Sequence, residues 1–183
     1  VIAAAALAAA LGAAPVPAHA QDALGPASTG PVIDGYGPVY DVPAPEFTTP
    51  LDLDYRLVCD VKTAPSDTTA INPAIETLAR FLNMHARAGV ALERMQLALV
   101  LHGGAGKDAL DDAAFRERYG HDNPNRELLE RLAGAGVTII LCGQTAMHRG
   151  LPPERLAEPV QVALSAMTAL AALQSQGYSL IAF

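Results

Sequence analysis

Basic residues are scarce in this chain, cysteines scarcer still, and beyond the first 20 positions there is no long apolar run. Lys and Arg number 12 against 19 Asp and Glu, which leaves a net charge of -7. A phosphate backbone is held by neutralising Lys and Arg. Here those residues are scattered singly, as on solvated helix faces, so nucleic acid is not an expected partner. The five His and two Cys show no paired spacing such as C-x-x-C or H-x-x-x-H, and no metal site is expected. After the leader, each apolar stretch is interrupted by charge, Gly or Pro well short of the ~20 residues that span a bilayer. No internal repeat is present.

The exception is the stretch Val1 to Ala20, made of small and apolar residues with no Asp, Glu, Lys or Arg and ending in Ala18-His19-Ala20. A small-x-small ending after such a run predicts a cleaved secretory signal peptide, and so a periplasmic or secreted protein. A membrane anchor is the competing reading. Pro15, Pro17 and the Ala-rich composition argue for cleavage, after which no membrane association is expected. The whole net charge then lies in the mature part.

Two cysteines in an exported chain invite a disulfide. Cys59 falls inside an apolar strand-like run and Cys142 at the end of another, so a bridge would need two parallel elements to meet at unmatched positions. Free thiols are expected.

Residues 21–50 are rich in Pro, Gly, Ala and Ser and predict an extended arm. Its aromatic cluster, Tyr36 and Tyr40 among glycines, is expected to lie across the domain or a neighbouring subunit. The remainder, 51–183, has a length suited to one domain. Tyr55 to Val61, Met95 to Leu101 and Val137 to Leu141 read as strands, with a short apolar stretch at Val160 to Ala163 and a final strand from Tyr178 to Phe183. Asn72 and Pro73 open a helix whose face is Ile71, Ile75, Leu78 and Leu82 and which stops at Gly89. Asn123-Pro124 repeats that start for a helix lined by Leu128, Leu129 and Leu132. Helical stretches are also expected from about Asp108 to Arg118, from Gly143 to His148 and from Leu164 to Gln176. Uniformly apolar strands alternating with helices imply an α/β fold, a single three-layer α/β/α domain with a mainly parallel sheet of about five strands.

In such sheets sites lie beyond the carboxyl ends of the strands. That position belongs to His102 and its glycines and to Cys142, which is followed at once by a helix. A thiol at a helix N-terminus sits near unpaired amides and the positive end of the dipole, which favours the nucleophilic thiolate. Cys59 reads instead as a small buried hydrophobe. His102 serves as acid or base, or simply bonds to backbone. Gly103, Gly104, Ala105, Gly106 and Lys107 resemble a phosphate loop in composition but not in spacing, since Leu101 stands where the first glycine is needed and Asp108 follows the Lys. A flexible turn lining the site is the expectation. Arg149 and His148, further along the helix, offer a cation to a negatively charged ligand or a solvated helix end. Asp111 and Asp112 read as compensation of a helix dipole.

The block from Gly136 to Leu151, with Thr138-Ile139-Ile140-Leu141-Cys142-Gly143-Gln144-Thr145 at its centre, resembles the strand-Cys-helix signature of DsrE/DsrF-like proteins, a group that includes the Tus-type sulfurtransferase subunits. The likeness extends from about Asp54 to Phe183. It implies that Cys142 accepts sulfane sulfur as a persulfide and passes it to another thiol, with His102 beside it. Gly103, Gly104, Gly143, Gln144 and Arg149 would then be the ligand contacts. No cofactor, metal or nucleotide is needed for that chemistry. The resemblance also implies a trimer or hexamer. Typical relay members are cytoplasmic, so export would make the sulfur donor or acceptor another exported protein or a small sulfur species. The alternative is a non-catalytic oligomer that binds a small ligand or partner in the same cleft, with Cys142 only lining it.

Overall fold

The structure is a computed structural model that describes residues 25–182. The expected signal segment, Val1 to Ala20, lies outside the described residues. Along the domain run β1 (Tyr55–Val61), α1 (Pro73–Arg87), β2 (Met95–Leu101), a 3-10 helix (Gly103–Ala109), α2 (Asp112–Tyr119) and α3 (Arg126–Gly134). These are followed by β3 (Thr138–Cys142), α4 (Gly143–Arg149), β4 (Val160–Ala163), α5 (Ala166–Ser175) and β5 (Ser179–Ala182).

The five strands form one sheet in the order β4-β3-β2-β1-β5, and every pairing is parallel. The fold is therefore the α/β sandwich that the strand composition predicts. Its handedness follows from chain stereochemistry. The steps from β1 to β2, β3 and β4 all run in one direction across the sheet, and right-handed crossovers then put their connections on one face. The step from β4 back to β5 runs the other way, so α5 crosses the opposite face. The core agrees with this division. Leu97, Leu99, Leu101, Ile139 and Leu141 pack with Ile75 and other residues of the first face. Val58, Ala98, Val100 and Cys142 pack with Ala166 and Ala169 of α5 on the second. β2 is the central strand of the five, and its Leu99 and Leu101 are fully buried. Truncating such a leucine to Ala costs about 2–5 kcal/mol.

The local signals behave as their chemistry requires, with two exceptions. The Asn72 side chain accepts the amide hydrogen of Ala74, and Pro73 occupies the first turn of α1. Asp111, not only a compensating charge, is the N-cap of α2 and accepts from Ala114. The first exception is Asn123, which does not open a helix. Its side chain is buried and donates to the carbonyls of Asp108 and Leu110, while α3 starts at Arg126. The second is the helix expected over Asp108 to Arg118. It divides into the 3-10 turn and α2, separated by Leu110, which is fully buried.

Part of the N-terminal arm is anchored to the domain. Asn83 on α1, completely buried, donates to the carbonyls of Ile33, Tyr36 and Gly37 and accepts from the amides of Val32 and Ile33. Arg87 donates to the carbonyls of Ser28, Thr29 and Gly30. Ile33 is buried in the core as a result. Gly37 passes so close to α1 that a Cβ there would lie 2.2 Å from the Arg80 amide nitrogen.

Candidate functional site

Adjacent strands whose following helices leave on opposite faces open a crevice at their carboxyl ends. In this sheet those strands are β3 and β4. α4 leaves β3 toward the first face, where Ala146 is buried, and α5 leaves β4 toward the second. Cys142 is the last residue of β3 and the N-cap of α4. The topology alone therefore puts the thiol where the amino ends of two helices converge.

Glycines make the convergence possible. A Cβ on Gly143 would lie 2.5 Å from the Ala163 carbonyl oxygen, so only glycine lets the β4 to α5 turn come this near. Ser165 caps α5 by accepting the Thr168 amide hydrogen. The amide of Ala166, at the start of α5, is left directed at the Cys142 sulfur. From the other side comes Thr145. Its Oγ1 accepts the Gly103 amide hydrogen at 3.0 Å, so the hydroxyl proton is free to turn to the sulfur. Gly106 clears room for it, since a Cβ there would stand 2.7 Å from the Thr145 methyl group. The glycines of the 103–106 segment are thus packing residues in a 3-10 helix tied to α4. They do not form the flexible turn their composition suggests.

The electrostatic outcome is a thiol that ionises early. Burial pushes the Cys142 thiol up. The Thr145 hydroxyl and the amides of Thr145, Ala166 and Gln144 favour the thiolate, and together they outweigh burial, so its pKa falls below the ordinary thiol range. The sulfur closes no capping bond of ordinary helix-cap geometry. Its thiolate is favoured by several donors together and not by one capping bond. Cys142 is only 5% exposed, and burial is the largest single influence on its thiol, outweighed only by these donors taken together. Cys59, on the opposite face of the sheet, has no such donors, and burial pushes its thiol up to about 11. Both cysteines are free thiols, and they lie on opposite faces of the sheet.

The chain belongs to the DsrE/DsrF-like family. The family model matches residues 57–183 and so contains every element named above from β1 onward except the first two residues of that strand. Among curated proteins none matches the sequence. Two solved structures share the fold of this DsrE/DsrF-like protein. One is the protein of unknown function MTH1491 from Methanobacterium thermoautotrophicum, 20% identical with a TM-score of 0.53 over 71% of this chain and 100% of that one. The other is the ychN protein from E. coli, 19% identical with a TM-score of 0.52 over 70% and 99%.

Of the residues singled out in the sequence, His102, Gly103, Gly143 and Gln144 gather around Cys142 or its supports. Leu101 pairs with Leu141 in register, so His102 and Cys142 are the next positions on adjacent strands. The Gln144 side chain donates to the Leu164 carbonyl and helps hold the β4 to α5 turn. Gly104 faces Lys62 and Thr63 at the end of β1, one strand further away. Arg149 sits at the far end of α4, about 10 Å of helix from the thiol, and its carbonyl accepts from Arg118.

One neighbour escaped the sequence reading. Asp60 lies on β1 between Cys59 and Val61, which both face the first core cluster, so its own side chain is on the Cys142 face. Its Oδ1 is 2.8 Å from His102 Nε2, with both side chains about three-quarters buried. The two atoms are at ion-pair distance, yet the ring N–H is not aimed along the line a hydrogen bond needs, and neither atom has another partner among the described residues. A lone carboxylate inside an apolar strand, in alternation with its core residues, was the available signal. One surface cleft lies at the amino ends of the strands, lined by Leu92, Met95 and Tyr178, and another flanks α4, lined by Ala146, Met147 and Leu151.

Proposed function

We propose that this protein is a sulfur carrier or sulfurtransferase component in which Cys142 accepts sulfane sulfur. The observation that carries the reading is the Cys142 thiol held below its ordinary range by the start of two helices and by Thr145. A thiolate attacks the outer sulfur of a persulfide R–S–SH. A sulfur–sulfur bond forms to Cys142, the bond to R–S breaks, and R–S⁻ leaves with the electron pair. The amides that favoured the thiolate then face a persulfide whose terminal sulfur is also anionic. Attack on that terminal sulfur by an acceptor thiolate returns Cys142 to its starting state, so sulfur moves without net oxidation.

Membership of the family supports the reading. So does the surface around the thiol, where Met147, Leu164 and Met167 are largely exposed and suit a protein partner that brings its own cysteine. The carrier works as a homo-oligomer, a trimer or hexamer, outside the cytoplasm, and exchanges sulfur with an exported protein or a small sulfur species. The N-terminal segment Val1 to Ala20 and the family resemblance support these assignments.

Intact-mass measurement after incubation with a polysulfide tests the proposal. Wild-type protein is expected to gain one sulfur mass that a small thiol removes, and Cys142→Ser protein is expected to gain none. Absence of any adduct on wild type would leave a binding protein whose Cys142 merely lines the crevice.

A further inference from the structure

The Asp60 and His102 pair leaves two polar atoms buried at the carboxyl edge of the sheet. They stand 2.8 Å apart with no hydrogen bond to each other or to any other group among the described residues, whereas buried polar atoms are ordinarily satisfied. Alternation along β1, β2 and β3 puts Asp60, His102 and Cys142 on one face at the carboxyl edge of three neighbouring strands. A carboxylate, an imidazole and a nucleophilic thiol thus line up across the sheet edge.

We propose that Asp60 is a positioning residue that holds His102 as the proton donor to the thiol released when Cys142 takes sulfur, which fits the site to persulfides of ordinary alkyl thiols. The inference rests on the sulfur-carrier reading and names its donor class. An alkyl thiolate is a poor leaving group until it is protonated, and an imidazolium beside the reacting sulfur supplies that proton. A small turn of the ring brings Nε2–H onto the Asp60 carboxylate, which fixes the ring and leaves Nδ1–H to meet the leaving sulfur. The step balances: Cys142 thiolate and R–S–SH give the Cys142 persulfide and R–S⁻, and R–S⁻ takes the proton from His102, which becomes neutral. Thiosulfate suits the site less well. Its leaving sulfite needs no proton, and its double negative charge meets Asp60.

Few other charges compete for His102. α5, β4 and β5 carry no titratable side chain over their described lengths. Lys62 has its stem beside Gly103, the residue after His102. Lys107 is engaged with buried Asp108 at 2.7 Å, and His148 and Arg149 are at the far end of α4.

The test is thiol–disulfide exchange at Cys142 in a Cys59→Ser background, with hydroxyethyl disulfide and dithiodipyridine as probes. The alkyl leaving group needs a proton and the aromatic one does not, so the ratio of the two rate constants isolates proton delivery. Asp60→Asn and His102→Gln are expected to lower that ratio by about tenfold or more. Asp60→Glu, which keeps the carboxylate, is expected to restore part of the ratio that Asp60→Asn loses. A ratio unchanged in both variants, including an equal slowing of both probes, overturns the proposal. If Asp60→Asn does not fold, an unchanged ratio in His102→Gln alone does the same. Sulfur loading with an unchanged ratio removes the pair and spares the carrier reading. A lowered ratio without loading removes the carrier reading instead.

Discussion

Thr145 accepts the amide hydrogen of Gly103 at 3.0 Å, joining the turn after β2 to the first turn of α4. That bond fixes the hydroxyl oxygen beside Cys142 and commits its proton to the sulfur. Thr145→Val keeps the shape and removes both functions. The Gly103 amide is then left without its acceptor, which costs about 1–3 kcal/mol, and the Cys142 thiol loses a donor. The urea midpoint is expected to fall and the pH midpoint of Cys142 alkylation to rise, while Thr145→Ser largely preserves both.

Cys59 provides a pH dependence of opposite origin. Its thiol is pushed up to about 11 in the folded protein against 9.0 in the unfolded chain, because burial disfavours the thiolate. The unfolded chain therefore gives up its proton first as pH rises. The contribution of Cys59 to stability is complete below pH 9.0 and is lost on the way to about 11. Chemical denaturation of wild type and Cys59→Ala across this range is expected to show the difference between them shrinking by about 2 to 3 kcal/mol. A constant difference would mean that Cys59 is not held as the thiol.

Asn83 ties the arm to α1 through five hydrogen bonds to residues 32, 33, 36 and 37. Asn83→Ala strands buried amides and carbonyls at about 1–3 kcal/mol for each group left without water or a partner. Limited proteolysis is expected to cut residues 28–45 much faster in this variant, with the domain from β1 onward surviving longer than the arm. Equal cleavage rates would show that Arg87 and the burial of Ile33 hold the arm without it.

What was legible in the sequence was what local chemistry decides. The apolar run ending at Cys142 and the glycine after it specify a strand-to-helix junction, and Asn72-Pro73 specifies a helix start. The sequence read Asn123-Pro124 by the same rule, and there the rule fails because Asn123 is drawn inward to the carbonyls of Asp108 and Leu110. Contacts that depend on register were not legible. Asp60 meets His102 only because β1 and β2 pair Val61 with Leu101. Thr145 matters only because Gly106 lets the 3-10 turn pack against it. The arm's composition is that of a linker, and the side chains that hold it, Asn83 and Arg87, lie more than 40 residues away on a helix whose pattern concerns its own core.

The Cys142 thiol ionises below the ordinary thiol range, and its alkylation rate as a function of pH, measured in Cys59→Ser protein, tests that most directly. A midpoint clearly below the free-thiol value of about 8.5 is the predicted result. A midpoint at or above that value would contradict it, because burial would then outweigh the donors gathered around the sulfur.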